Sequence, residues 1–301
     1  MLGGRKQWLV GVLVAVLALG ATPAGARAAG EPANVSIMVL GDSYSAGNGG
    51  GAYVGSPACR RSTNNYGAQY ARLLSSQQTT ITTVACSGAV SRDITSPAGA
   101  RPAQVSALNR DYDVVLLTIG GNDAGFSTIV ASCLLAAVSD ARRCDAALAR
   151  AERFLTDGTL ETRLTKVLTA IRARTSAATR IVLLGYPYLE GDAGYVVPST
   201  EAGVPAVAAG RRVRALTDAA DRLGQKVIDA QGSATNVFIS TKRAFAGHEL
   251  TARRLNPARW FVAPFTADGP LSDWYHPTRA GYAAEAQLLL ADPRVPKADV
   301  G

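Results

Sequence analysis

Five short apolar runs rich in β-branched residues recur along this chain, with stretches of helical period between them. The runs are Val35–Leu40, Thr80–Ala85, Val114–Ile119, Arg180–Gly185 and Asn236–Ser240. Helical spacing marks Tyr66–Leu74, a short piece near Pro102–Leu108, Leu160–Arg174 and Val207–Ala230. In the third of these, Leu160, Leu164, Val167, Leu168 and Ile171 line one face. A last helix is expected from Pro277, a residue suited to a first turn, to about Ala291. Strands alternating with helices build βαβ units, and these require a parallel sheet covered on both faces. The expectation is an α/β fold: a three-layer α/β/α sandwich around a central, mostly parallel five-stranded sheet. Gly47–Pro57 and Gly185–Pro205 read as long loops, because strand and helix patterns resume on both sides.

Ahead of the first run, Arg5 and Lys6 precede an apolar stretch from Trp8 to Gly20 and then the small-residue site Ala26-Arg27-Ala28. That is the pattern of a secretory signal peptide over residues 1–28, cut after Ala28, with a single domain over 29–301. The apolar stretch falls short of the ~20 residues that span a bilayer, so no stable membrane insertion is expected. The net charge of +8 comes largely from scattered arginines without aromatic interleaving. This argues against nucleic acid as a partner and allows only mild attraction to anionic surfaces. The product is expected to be secreted and monomeric. Cys59, Cys86, Cys133 and Cys144 make an even number in an exported chain, which points to two disulfides and matches no zinc spacing. Of three possible connectivities, Cys59–Cys86 with Cys133–Cys144 closes the shortest loops.

In open parallel sheets ligands sit beyond the carboxyl ends of the strands. The first strand end carries Gly41-Asp-Ser-Tyr-Ser-Ala-Gly47, the second Cys86-Ser-Gly-Ala89 and the third Gly120-Gly-Asn-Asp123. A serine hydroxyl needs a base before it can attack, and the chain has only two histidines, His248 and His276. His276 lies in Asp273-Trp-Tyr-His-Pro277, where Asp273 is close enough through a turn to orient the imidazole. Asp and Pro are also common where a helix is capped, and His248 is the weaker candidate base. The N–H of Gly88, the side-chain amide of Asn122 and the N–H of Ser43 are candidate donors to an oxyanion. Gly88 and the Asn122-Asp123 pair would also suit plain turns. The α/β-hydrolase pattern G-x-S-x-G does not fit, because Gly41-Asp-Ser-Tyr-Ser45 lacks the closing glycine.

These blocks resemble the SGNH hydrolases, also called GDSL lipases and esterases. Gly41-Asp-Ser43, Gly88, Gly120-Gly-Asn-Asp123 and Asp273-Trp-Tyr-His276 stand in that family's order across almost the whole chain after residue 28. The resemblance implies a flavodoxin-like fold, Ser43 as nucleophile, Gly88 and Asn122 as oxyanion donors, and His276 as base. It implies a small-molecule or lipid ester as substrate and no metal or other cofactor. Cys59-Arg-Arg-Ser62, Ala85-Cys-Ser-Gly-Ala89 and Gly247-His-Glu-Leu250 are similar to the secreted actinobacterial lipases and esterases of the family. Those relatives often place a cysteine after His-Glu-Leu, where this chain has Thr251. Some relatives orient the histidine with a backbone carbonyl in place of an aspartate. Tyr44, Phe126, Tyr186, Trp260 and Trp274 fall in or near strand-end loops and could line a pocket or pack the loops. Polysaccharide O-deacetylation and an inactive glycan- or lipid-binding module are the alternative functions.

Overall fold

In the computed structural model of the protein, residues 35–74, 79–135, 139–251 and 255–296 are described, together with Met1. The leader expected at residues 1–28 lies outside them apart from Met1.

The strands of the central sheet are β1 (Ser36–Gly41), β4 (Thr80–Thr83), β5 (Val114–Thr118), β6 (Arg180–Leu184) and β7 (Asn236–Ile239), each within two residues of its sequence-based bounds. Two short strands form an antiparallel pair: β2 (Tyr53–Val54) falls inside the segment read as a loop, Gly47–Pro57, and β3 (Arg61–Ser62) lies just beyond it. The sheet order is β4-β1-β5-β6-β7 and every pairing is parallel, with Met38 opposite Val115 and Leu116 opposite Val182. Neighbouring residues of a strand face opposite sides, so each run divides between two cores. Met38, Leu40, Val115, Leu117, Ile181 and Leu183 pack with Leu164, Leu168 and Val227 on one side. Ile37, Val39, Val114, Leu116, Val182 and Leu184 pack with Tyr66, Tyr70, Tyr282 and Leu289 on the other. The first layer comes from α6 (Thr159–Arg172) and α7 (Ala209–Ala230), the second from α2 (Tyr66–Leu73) and α8 (Arg279–Ala291). This is the expected three-layer α/β/α fold with a flavodoxin-like strand order.

Four helices were not anticipated: α1 (Ser43–Ala46), α3 (Ser91–Thr95), α4 (Phe126–Ile129) and α5 (Ala141–Thr156). The buried face of α5 is Cys144, Ala147, Leu148 and Ala151, and its small residues blur the helical period. Helix α8 starts two residues later than expected. Thr278 caps it by accepting from the Gly281 N–H, which leaves Pro277 outside the first turn. Disulfides join Cys59 to Cys86 and Cys133 to Cys144. The first ties the β2–β3 turn to the segment after β4; the second ties a π-helical turn, Val130–Leu134, to α5. Among the described residues, no helix is long and apolar enough to cross a membrane.

A third cluster, including Tyr44, Ile129, Leu189, Phe245 and Phe261, lies in segments that follow strand carboxyl ends. Strand β1 has β4 on one side and β5 on the other, so the chain reverses its direction of travel across the sheet there. Such a switch point opens a crevice beyond the strand ends.

Candidate active site

Ser43 is the first residue of α1, immediately beyond β1. The turn that delivers it needs a glycine at 41, where φ is +121° and a Cβ would lie 2.3 Å from the Thr118 carbonyl oxygen. Gln104 fixes this glycine from both sides, accepting its N–H at 2.7 Å and donating to its carbonyl at 2.9 Å. Asp42 caps α1 by accepting from the Tyr44 N–H at 3.1 Å, and it also accepts from Thr118 Oγ1 at 2.7 Å and from the Tyr186 hydroxyl. Burial pushes its pKa up to about 6 against these donors, so at neutral pH it is a carboxylate. Ser45 is spent on structure: its Oγ accepts from the Thr118 N–H at 2.8 Å and meets Tyr66 and Thr118 hydroxyls at 2.6 and 2.9 Å.

His276 Nε2 lies 2.8 Å from Ser43 Oγ, and its Nδ1 lies 3.0 Å from the Trp274 carbonyl oxygen. A carbonyl can only accept, so Nδ1 carries the proton and Nε2 is left to accept from Ser43. Burial is the main cause that lowers the His276 pKa to about 4, so the ring is neutral at neutral pH. The loop is held by Tyr44, whose hydroxyl donates to the Tyr275 carbonyl at 2.7 Å, and by the Val262 N–H, which donates to the His276 carbonyl at 2.9 Å.

The orienting role expected of Asp273 is corrected. Its backbone carbonyl accepts the His276 N–H at 3.1 Å, closing the turn, while its carboxylate pairs with Arg60 at 2.5 Å. A guanidinium is a stronger partner for a carboxylate than a neutral imidazole. Arg60 sits beside the Cys59–Cys86 bridge, so this ion pair couples the disulfide to the histidine loop. His248 stands apart, stacked on Trp260 with ring centroids 3.6 Å apart and Nδ1 beside the Ala258 carbonyl.

Asn122 donates to the Ala89 carbonyl at 2.9 Å, tying the loop after β5 to the one carrying Gly88. Asp123 reinforces the tie by accepting from the Ser91 N–H and hydroxyl at 2.8 and 2.7 Å. Gly88 has φ +77° and nothing within 4 Å of the place a Cβ would take, so its backbone borders open space. Asn48, which no motif marked, bridges the same loop to the histidine segment, donating to Ser87 Oγ at 2.9 Å and to the Ser272 carbonyl at 3.2 Å.

Ser43 and Asn122 line the head of an apolar cavity of about 120 Å³ that runs between sheet and helices, past Leu160, Leu183, Val213 and Ala220. Of the aromatics singled out in the sequence, Tyr44, Phe126 and Tyr186 line it, whereas Trp260 and Trp274 do not. Among the described residues, Ala52, Arg60, Phe265 and Tyr275 are the non-glycine residues with positive φ. Two of them lie in segment 47–62, which follows the serine helix α1, and two in segment 261–277, which carries His276. Each such conformation costs roughly 1–3 kcal/mol.

The chain matches the GDSL-like Lipase/Acylhydrolase family over residues 39–284. It is 32% identical to Lipase 1 of Streptomyces coelicolor over 284 residues, covering 92% of this chain and 95% of that protein. Crystal structures of an extracellular lipase from Streptomyces rimosus and of phospholipase A1 from Streptomyces albidoflavus each superpose with a TM-score of 0.67 at 31% identity. Each covers 85% of this chain and 98% of the other. With the family matched across most of the chain and relatives above 30% identity spanning nearly all of it, this protein belongs to the GDSL-like lipase/acylhydrolase family of carboxylic ester hydrolases.

Proposed function

We propose that the protein is an exported lipase or esterase that cleaves acyl esters through an acyl-enzyme on Ser43. The observation that carries this reading is the 2.8 Å contact between Ser43 Oγ and His276 Nε2 at the head of an apolar cavity. Ser43 attacks the ester carbonyl as its proton passes to Nε2. The oxyanion is met by the N–H groups of Ser43 and Gly88 and by the Asn122 amide. The imidazolium then protonates the departing alcohol, and water, activated in the same way, releases the acid. The Trp274 carbonyl stabilises the imidazolium. Asp273 favours it from a distance, an influence that Arg60 opposes. Export is supported by the leader-like residues 1–28 and by the two disulfides.

The cavity supports an acyl chain longer than acetyl. At about 120 Å³ it approaches the ~150 Å³ of an apolar cavity that holds benzene, which leaves room for several methylenes beyond an acetyl group. Ala220→Phe, which fills the cavity below Ser43, is expected to lower kcat/KM for p-nitrophenyl octanoate by about 100-fold, since methylene-sized misfits are each worth ~1–3 kcal/mol. p-Nitrophenyl acetate should change by less than about threefold, because a two-carbon acyl group needs little of the cavity. Equal losses on both esters would remove Ala220 from the acyl path, and a wild-type enzyme confined to acetyl esters would favour deacetylation.

The pH dependence separates chemistry from unfolding. With the His276 pKa at about 4, kcat/KM for a neutral ester should stay level through mildly acidic pH and halve near pH 4. His276 adds stability as pH rises from 4 to its unfolded value near 6.5, because the unfolded chain binds the proton there. Asp42 does the reverse between 3.8 and about 6, where the folded state holds the extra proton. The two slopes oppose each other, so these groups leave stability nearly flat while activity falls. A midpoint near 6.5 would show that burial does not set the base.

A further inference from the structure

We propose that the loop carrying Phe265, Leu271 and Trp274 seats on the surface of a lipid aggregate, so that the enzyme takes its ester from that surface. This rests on the acyl-ester reading and adds the physical form in which the substrate is met.

Phe265 and Leu271 are 67% and 70% exposed, and the Phe265 ring stands 4.7 Å from that of Trp274. Val54, 53% exposed, is carried by the β2–β3 hairpin, which is joined to the loop through Arg60–Asp273. Scattered exposed apolar residues are ordinary, but Phe265 and Leu271 belong to one loop, in which Phe265 is paired with Trp274. Phe265 has φ +58°, a conformation strained for any residue with a Cβ. In a core, burial of the ring would offset that strain; here the ring stays in water. The backbone therefore holds a large apolar side chain outward, with the Trp274 ring as its aromatic partner and most of its surface left to solvent.

The patch is continuous with the site. Trp274 supplies the carbonyl that holds His276 Nδ1, and Leu271 lies five residues before His276. Phe, Leu and Trp on a raised rim are the side chains that settle into the headgroup and acyl boundary of a bilayer. The charges within the rim are spent on internal pairs, Arg60 with Asp273 and Arg259 with Asp268. No bare carboxylate of those pairs faces an approaching phosphate, and the exported chain, which loses Arg5, Lys6 and Arg27 with the leader, keeps a net charge of 28 − 23 = +5 that favours an anionic surface. Together these observations fit a lipid surface.

The test is sedimentation of the exported protein, residues 29–301, with phosphatidylcholine and phosphatidylglycerol vesicles, made in a Ser43→Ala background so that the lipid stays intact. Binding to both vesicle types is expected, tighter on the anionic one. Adding Phe265→Asn, which tolerates positive φ, and Leu271→Ser should weaken partitioning at least tenfold on both. Failure of Ser43→Ala to sediment with either vesicle would overturn the proposal. So would partitioning unchanged by the rim substitutions, which would leave general charge as its cause. With Ser43 restored, Phe265→Asn/Leu271→Ser should keep kcat/KM on dissolved p-nitrophenyl acetate within twofold, and a tenfold loss would make the rim structural and overturn the proposal. Turnover retained by Ser43→Ala would sink the acyl-enzyme reading instead, leaving the partitioning result distinguishable.

Discussion

Ser43→Ala is expected to lower kcat for p-nitrophenyl ester hydrolysis by about 10⁴-fold or more, with the fold intact. The residue lies at the start of α1 and is held by backbone geometry rather than by its hydroxyl, so the loss falls on chemistry. His276→Ala should cost about as much, and the double variant little more than either alone, because nucleophile and base act as a unit. Ser45→Ala is the informative control from the same turn. Its Oγ joins Thr118 and Tyr66 inside the core, so removal leaves buried partners unmet and costs roughly 1–3 kcal/mol of stability. Folded Ser45→Ala should nonetheless turn over. Activity surviving in Ser43→Ala, or vanishing in a folded Ser45→Ala, would transfer the nucleophile to the wrong serine for this mechanism.

Strands β1, β5, β6 and β7 were legible because their runs are apolar on both faces, and the edge strand β4, Thr-Ile-Thr-Thr, was legible from its β-branched composition. The serine and histidine were legible for a different reason: few hydroxyls follow a strand end at once, and there is almost no competing base. What escaped the sequence depends on contacts between distant residues. The three-residue spacing from Asp273 to His276 permits either a carboxylate or a carbonyl partner for Nδ1. Arg60, far away in the chain, decides the matter by taking the carboxylate. Gln104 and Asn48 are single amides whose roles at Gly41 and between the Ser87 and Ser272 segments leave no local mark. Helix α5 was hidden by its own composition, since alanines on the buried face and arginines around it give little contrast. Tyr186 was named only as an aromatic, and its hydroxyl proves to be a donor to Asp42.

Asn122→Ala is expected to lower kcat by about 10²–10³-fold with KM little changed, the signature of a donor that acts on charge formed only in the transition state. Its amide has two protons, and one is committed to the Ala89 carbonyl at 2.9 Å. The second is the one available to an oxyanion. Truncation therefore removes a donor and also releases the peptide next to Gly88, so the loss should reach the upper part of that range. Asn122→Asp sharpens the test: it keeps the size of the side chain, cannot donate to Ala89, and brings a negative charge to the place where the oxyanion forms. Its kcat should fall at least as far as that of Asn122→Ala. Asp123, bonded to Ser91, still ties the two loops together, so neither substitution should unfold the protein. A rise in KM at constant kcat would instead mean that Asn122 binds the ground-state ester, and the oxyanion would then have to rest on the backbone amides of Ser43 and Gly88.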